Sequence, residues 1–236
     1  DKKFKAAMMK SIAQSELDRK RFVYSDIGFI LLQQVVEAVT GKTLDAYLVS
    51  EFYRPMGLEH TLFQPLNRYK KADIMPTAAN DYLRRQDLCG YVYDEAAAFM
   101  GGVSGNAGLF STAQELGKIY QMILNEGELD GKRYLRPETC RIFTTEKSAV
   151  SHRGLGYDKP NLKDPKANAC ASSAPASVYG HTGFTGTCAW VDPENDLVYI
   201  FLSNRLCPDA WNGKLNSMKI RQAVQEVIYQ SLYTPE

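Results

Sequence analysis

The 236-residue chain carries 28 basic and 27 acidic side chains, a net charge of +1, with 44% hydrophobic and 23% charged residues. That balance is ordinary for a globular protein and gives no electrostatic ground for nucleic acid or an anionic membrane as partner. No apolar run approaches the ~18 residues of a membrane span; the longest candidate, residues 27–39, is interrupted by Gln33, Gln34 and Glu37.

The chain opens on Asp1, and we expect a processed or trimmed product whose export signal, if it has one, lies out of view. A polar, basic lead-in (residues 1–21) runs into Phe22-Val23-Tyr24-Ser25-Asp26. Apolar residues then recur at Ile27, Ile30, Leu31, Val35, Ala38 and Val39, the spacing of a helix. Ser25 or Asp26 can cap it and Gly41 can end it. A second helix is expected over residues 43–53, stopping before Pro55. Residues 67–106 are irregular and rich in Tyr and Gly, which reads as long loops, with Asp94-Glu95 a solvated acidic pair. Thr112 and Glu115 form a capping box ahead of a helix that Gly127 closes, and Pro137 suits the first turn of a short helix through Phe143. Beyond Ser151 the character changes. Residues 184–191 and 197–202 read as two strands of a hairpin around the turn 192–196. Helical spacing returns at Ile220, Ala223, Val224, Val227 and Ile228. Segregated elements of this kind imply an α+β fold, a mainly helical region over 1–150 and antiparallel strands with a C-terminal helix over 151–236.

The cysteines (Cys89, Cys140, Cys170, Cys188, Cys207) are scattered, odd in number and without C-x-x-C spacing. Ordinary thiols are expected, or one disulfide that cannot be assigned, and no zinc site.

Two short segments carry chemistry. Tyr24-Ser25-Asp26 sits at a loop-to-helix junction, where the positive end of the helix dipole favours a phenolate and proton exchange; a tyrosine there is also often purely structural. His181-Thr182-Gly183 precedes a strand. Small residues at Gly183 and Gly186 let a ligand approach the backbone, and the Phe184 N–H can donate to a developing oxyanion. In isolation it also reads as a turn histidine followed by flexible glycines.

Taken together, these segments resemble two of the three motifs of serine β-lactamases and penicillin-binding proteins, Tyr-x-Asn and Lys/His-Thr-Gly. The flanks agree: Tyr24-Ser25-Asp26-Ile27-Gly28-Phe29 running into Val36-Glu37-Ala38-Val39-Thr40-Gly41, Pro55-Met56-Gly57-Leu58, residues 102–112, and Gly180 to Thr187 followed by Phe201-Leu202-Ser203-Asn204-Arg205. The chain is similar to the class C type over nearly its whole length, and in detail to the serine-hydrolase domains fused behind family 3 glycosidases. The resemblance implies a β-lactamase/transpeptidase-like fold and acyl transfer to water. Tyr24, Asp26 and His181 would be catalytic, and Thr182, Gly183 and Phe184 would form the oxyanion and substrate side, with Tyr24 and His181 sharing one cleft. It implies no metal or organic cofactor, a small ester, amide or peptidoglycan-like substrate, and a periplasmic or otherwise exported bacterial protein, although composition alone places it nowhere.

Three departures qualify this. No serine in these 236 residues has Lys three positions on: Ser11 meets Gln14, Ser15 meets Asp18 and Ser217 meets Ile220. The family's Ser-x-x-Lys nucleophile is therefore absent, and with it the N-terminal helix and first strands. We expect a fragment whose open sheet edge is met by the missing N-terminal segment or another chain. Asp26 replaces an amide that can donate, whereas an ionised carboxylate only accepts; it would pair with the missing lysine or cap the helix. His181 replaces a permanent cation, which tilts the expectation from carboxylate-bearing substrates towards esters. The alternative to an enzyme part is a non-catalytic accessory or binding module of a larger exported carbohydrate-processing protein.

Overall fold

The structure, a computed structural model, describes residues 2–16 and 22–233. It divides into two compact units, Asp1–Thr112 and Ala113–Glu236.

The first unit contains helices α1 (Lys2–Gln14), α2 (Ile27–Thr40) and α3 (Leu44–Leu48), the last continued by a π-helical turn over Val49–Tyr53. The expected helices at 27–40 and 43–53 are both present. Gly41 ends α2 in the left-handed conformation (φ 67°), its N–H donating to the Glu37 carbonyl. Strands β1 (Leu62–Phe63), β2 (Pro76–Asp81), β3 (Gln86–Cys89), helix α4 (Glu95–Phe99) and strand β4 (Leu109–Phe110) follow, β1 pairing with β4 and β2 with β3, both antiparallel.

Residues 67–106 are therefore not the long loops expected. Two register shifts interrupt the β2–β3 ladder, between Pro76 and Ala78 and between Ala78 and Asp81. Each extra residue breaks the period of two on which strand recognition rests. Nor is Asp94-Glu95 a solvated loop. Asp94 is the N-cap of α4, its Oδ1 accepting the Ala97 N–H at 2.7 Å, and Glu95 begins the helix.

A buried glutamine ties α2 to the glycine-rich segment. Gln33 Nε2 donates to the Val103 carbonyl and to Glu37 Oε1, and Gln33 Oε1 accepts the Gly105 N–H at 3.1 Å. Gly105 can carry no side chain, since a Cβ there would lie 2.2 Å from the Phe29 carbonyl oxygen.

The second unit runs α5 (Ala113–Leu124), β5 (Glu128–Leu129), β6 (Lys132–Arg133), α6 (Pro137–Thr145), β7 (Tyr179–Thr182), β8 (Cys188–Asp192), β9 (Leu197–Phe201), α7 (Lys214–Ser217) and α8 (Ile220–Tyr233). Strands β7, β8 and β9 form an antiparallel sheet in that order. Every residue of β8 is buried, as a central strand covered on both faces requires. The core packs Trp190, Tyr199, Cys188, Cys170, Val178 and Tyr229 together. Buried Asp192 joins turn to helix: its carboxylate accepts the N–H groups of Glu194 and Asn195 and the Tyr229 hydroxyl at 2.8 Å. The Asp192 end of the β8–β9 turn is thereby fixed as an Asx turn.

The hairpin expected at 184–202 starts later than anticipated. Residues 183–187 form a turn, with Gly186 at φ 113°, and β8 begins at Cys188. A third strand lies upstream, and it contains His181 and Thr182, which were expected just outside a strand. Its pattern is illegible because Gly180 must be bare: a Cβ would meet the Ala189 carbonyl oxygen at 2.1 Å.

All five cysteines are free thiols. No helix among the described residues is long and apolar enough to cross a membrane.

Candidate functional site

In the first unit, Tyr24 lies just ahead of α2 and is 55% exposed. Capping falls to Ser25, whose Oγ accepts the Ile27 N–H at 3.2 Å. Asp26 occupies the N-cap position without a side-chain capping bond, its carbonyl receiving the N–H groups of Phe29 and Ile30.

The second unit holds the other motif on a braced hairpin. The segment before β7 runs along that strand, Asp158 and Gly180 exchanging both backbone hydrogen bonds (2.7 and 3.1 Å). This pairing delivers Arg153 to His181. The imidazole Nε2 lies 3.0 Å from Arg153 Nη1, and Nδ1 lies 2.7 Å from the Thr182 carbonyl oxygen. A guanidinium only donates and a carbonyl only accepts. His181 is thus assigned as the neutral tautomer, donating from Nδ1 and accepting at Nε2. Behind Arg153 sits buried Asp158, 3.6 Å from Arg153 Nη2 and 2.9 Å from His152 Nε2. The imidazole at position 181 is therefore paired with the Arg153 guanidinium.

The turn after Thr182 is held just as closely. The Gly183 N–H donates to the Thr187 carbonyl at 2.7 Å, and a Cβ at Gly183 would lie 2.2 Å from Thr187 Oγ1. Ser203 Oγ donates to the Gly186 carbonyl, and the Arg205 N–H to the Thr185 carbonyl. Arg205 Nε donates to the Phe184 carbonyl at 2.6 Å, its guanidinium 4.3 Å from the exposed Phe184 ring. From α8, Arg221 Nη1 donates to the carbonyls of Thr187 (2.9 Å) and Gly183 (3.3 Å).

Beneath the sheet, burial pushes the Cys188 thiol up to about 11 and Cys170 up to about 12, so neither is a ready nucleophile. Burial, with help from the Lys147 charge, holds the Lys159 ammonium down to about 8. Among the described residues no group of three or more His, Cys, Asp or Glu is placed to hold a metal ion.

Reasoning from sequence missed Arg153 and Arg221. Arg205 stood in a quoted flank, but nothing marked its side chain as reaching Phe184. No motif spacing announces any of the three, since each arrives through tertiary pairing.

A β-sheet hairpin carrying His-Thr-Gly, with a helical region opening on Tyr-x-Asp, defines the β-lactamase/transpeptidase-like class. The chain matches the beta-lactamase family over residues 1–222 and belongs to it. It is 37% identical over 197 residues to the "Putative D-alanyl-D-alanine carboxypeptidase" of Escherichia coli (strain K12), a match covering 78% of this chain and 45% of that protein. The chain thus spans about half the length of the curated relatives it matches. A penicillin-binding protein homologue from Caulobacter crescentus superposes with a TM-score of 0.59 at 19% identity, covering 86% of this chain and 58% of the other. A beta-lactamase from Mycobacterium bovis gives 0.58 at 20% identity, covering 89% and 64%. At those identities the solved structures speak for the fold, helices with small antiparallel sheets.

Proposed function

We propose that this chain is part of a serine hydrolase of the D-alanyl-D-alanine carboxypeptidase type, carrying the proton-transfer and substrate-holding side of the site. The serine and its lysine come from a segment of a longer polypeptide outside these 236 residues. The length of the matched relatives supports this. So does α2, which exposes Ile27, Leu31, Val35 and Val39 one helical turn apart, an apolar stripe of the kind that marks an interaction surface.

In this reading the serine attacks an amide carbonyl and Tyr24 exchanges protons with the serine–lysine pair. Asp26, an acceptor when ionised, is assigned to that lysine. The oxyanion is received by the Phe184 N–H and the serine's own N–H, and water then clears the acyl-enzyme. Thr182 and Gly183 line the substrate edge.

One observation carries the choice of substrate class: the Arg153 guanidinium lies 3.0 Å from His181 Nε2. Histidine alone argued for esters, but a guanidinium held beside it, between His181 and Asp158, offers oriented N–H donors that suit a substrate carboxylate. A peptide ending in a free carboxylate is therefore favoured over a neutral ester. The test is Arg153→Ala in the complete polypeptide, with kcat/KM measured on a D-Ala-D-Ala peptide and on a neutral activated ester. The peptide value should fall ~10-fold or more, as loss of a charge-assisted hydrogen bond implies, with the ester value little changed. Equal losses on both would sink the carboxylate reading.

A further inference from the structure

We infer that Arg221, a residue of the C-terminal helix outside both motifs, is a positioning residue for the oxyanion-binding peptide. This rests on the reading above that the Phe184 N–H receives the oxyanion.

The argument begins with the peptide unit itself. The Gly183 carbonyl and the Phe184 N–H belong to one planar trans peptide, so they point in opposite directions. Whatever fixes the carbonyl also fixes the aim of the N–H. That carbonyl accepts the Gly186 N–H at 3.1 Å from within the turn, and Arg221 Nη1 adds a second, charged donor at 3.3 Å while also donating to the Thr187 carbonyl at 2.9 Å, bridging the mouth of the β7–β8 turn. Arg221 Nη2 is itself steadied by Asn216 Oδ1 at 3.0 Å.

A brace is needed there for a local reason. Position 183 is a glycine, where a Cβ would crowd the Thr187 hydroxyl at 2.2 Å, and a glycine peptide resists rotation less than that of any other residue, so its orientation rests on its hydrogen bonds. The site thus carries the residue least able to hold an orientation by itself. Arg205 fixes the next carbonyl, that of Phe184. With Arg221 it leaves the peptides on both sides of Phe184 oriented by guanidinium groups.

A cation on the carbonyl also withdraws electron density from the peptide, which makes the N–H at its other end a better donor. Both effects act on a charge that exists only in the transition state. They should appear in the rate of acylation rather than in substrate affinity.

The test has two arms. In this chain, backbone ¹⁵N relaxation is measured for Arg221→Met and Arg221→Lys. Order parameters at Gly183 and Phe184 should fall from the rigid range (~0.85) towards that of a mobile loop (below ~0.6) in the Met variant. They should recover in part with Lys, while Trp190 and Tyr199 stay unchanged. Unchanged values at Gly183 and Phe184 overturn the inference.

In the complete polypeptide, Arg221→Met should lower the acylation rate ~10- to 100-fold with KM within about threefold, less than the ~10²- to 10³-fold loss when a donor is removed outright. Phe184→Pro, which deletes the N–H, separates the two claims. A parent-like rate in that variant overturns the oxyanion reading, and this inference with it. A slow Phe184→Pro beside a parent-like Arg221→Met overturns the role of Arg221 alone.

Discussion

Lys159 is 5% exposed, and its ammonium donates to the carbonyls of Thr144 (2.5 Å) and Ser177 (3.5 Å). Both acceptors are neutral, and burial lowers the group to about 8 from 10.5. That gap corresponds to at most about 3 kcal/mol of unfavourable charge burial at neutral pH. Below pH 8 both folded and unfolded states hold the proton, and the penalty is constant. Between pH 8 and 10.5 the folded chain releases it while the unfolded chain keeps it, so the unfolded state binds more protons and stability rises with pH. The buried thiols act in the opposite sense. Cys170 and Cys188 titrate near about 12 and about 11 when folded, but near ~8.5 when unfolded. Above that the unfolded state loses protons first, and stability falls. Lys159→Met removes only the rising contribution. The stability of the parent minus that of the variant should therefore grow between pH 8 and 10, by up to about 1.4 kcal/mol per pH unit. Urea unfolding at pH 7, 8, 9 and 10 reads this directly. The chain has two tryptophans, and Trp211 is 92% exposed. A Trp211→Phe background therefore leaves buried Trp190 as the reporter of the second unit. A difference flat within ~0.5 kcal/mol across the range would show that Lys159 is not held as a strained cation.

This chain alone should form no covalent adduct with a β-lactam or an activated-ester probe, since none of its serines carries the lysine partner; a stoichiometric mass increase on any serine would contradict the assignment of the nucleophile to another segment. In the complete polypeptide Tyr24→Phe should cut turnover ~10²-fold or more with the fold intact, as loss of a general acid–base does. Parent-rate turnover by that variant would leave the tyrosine motif a fold signature only.

Where apolar spacing was strong, the elements were legible from sequence. The helix at 27–40 appeared with its Gly41 terminator because Ile27, Ile30, Leu31 and Val35 repeat at helical spacing. The strand at 197–201 appeared because its residues are uniformly β-forming. The β2–β3 hairpin was hidden by bulges, and β7 by a glycine that close packing against Ala189 and Trp190 makes compulsory. The motif residues were named from sequence, but their environment was not. Arg153 reaches His181 only because residue 158 pairs with residue 180, a contact across 22 positions. Local pattern has no access to such a pairing.

That environment changes what the histidine at 181 means. A lysine there would bring an independent, flexible point charge, whereas His181 accepts a hydrogen bond from a guanidinium that also faces Asp158. The Arg153–Asp158 pair has no net charge, so in the proposed site it would act as an oriented set of donors more than as an isolated cation. Attraction at long range is weakened, and recognition comes to depend on where the Nη groups point. A planar fork can address His181 through one nitrogen and Asp158 through the other; a lysine ammonium, a single point, cannot reproduce both directions. Charge alone at position 153 should therefore not suffice. In the complete polypeptide, Arg153→Lys should resemble Arg153→Ala on a carboxylate-terminated peptide more closely than it resembles the parent. Full recovery by lysine would mean that the site reads charge and not geometry.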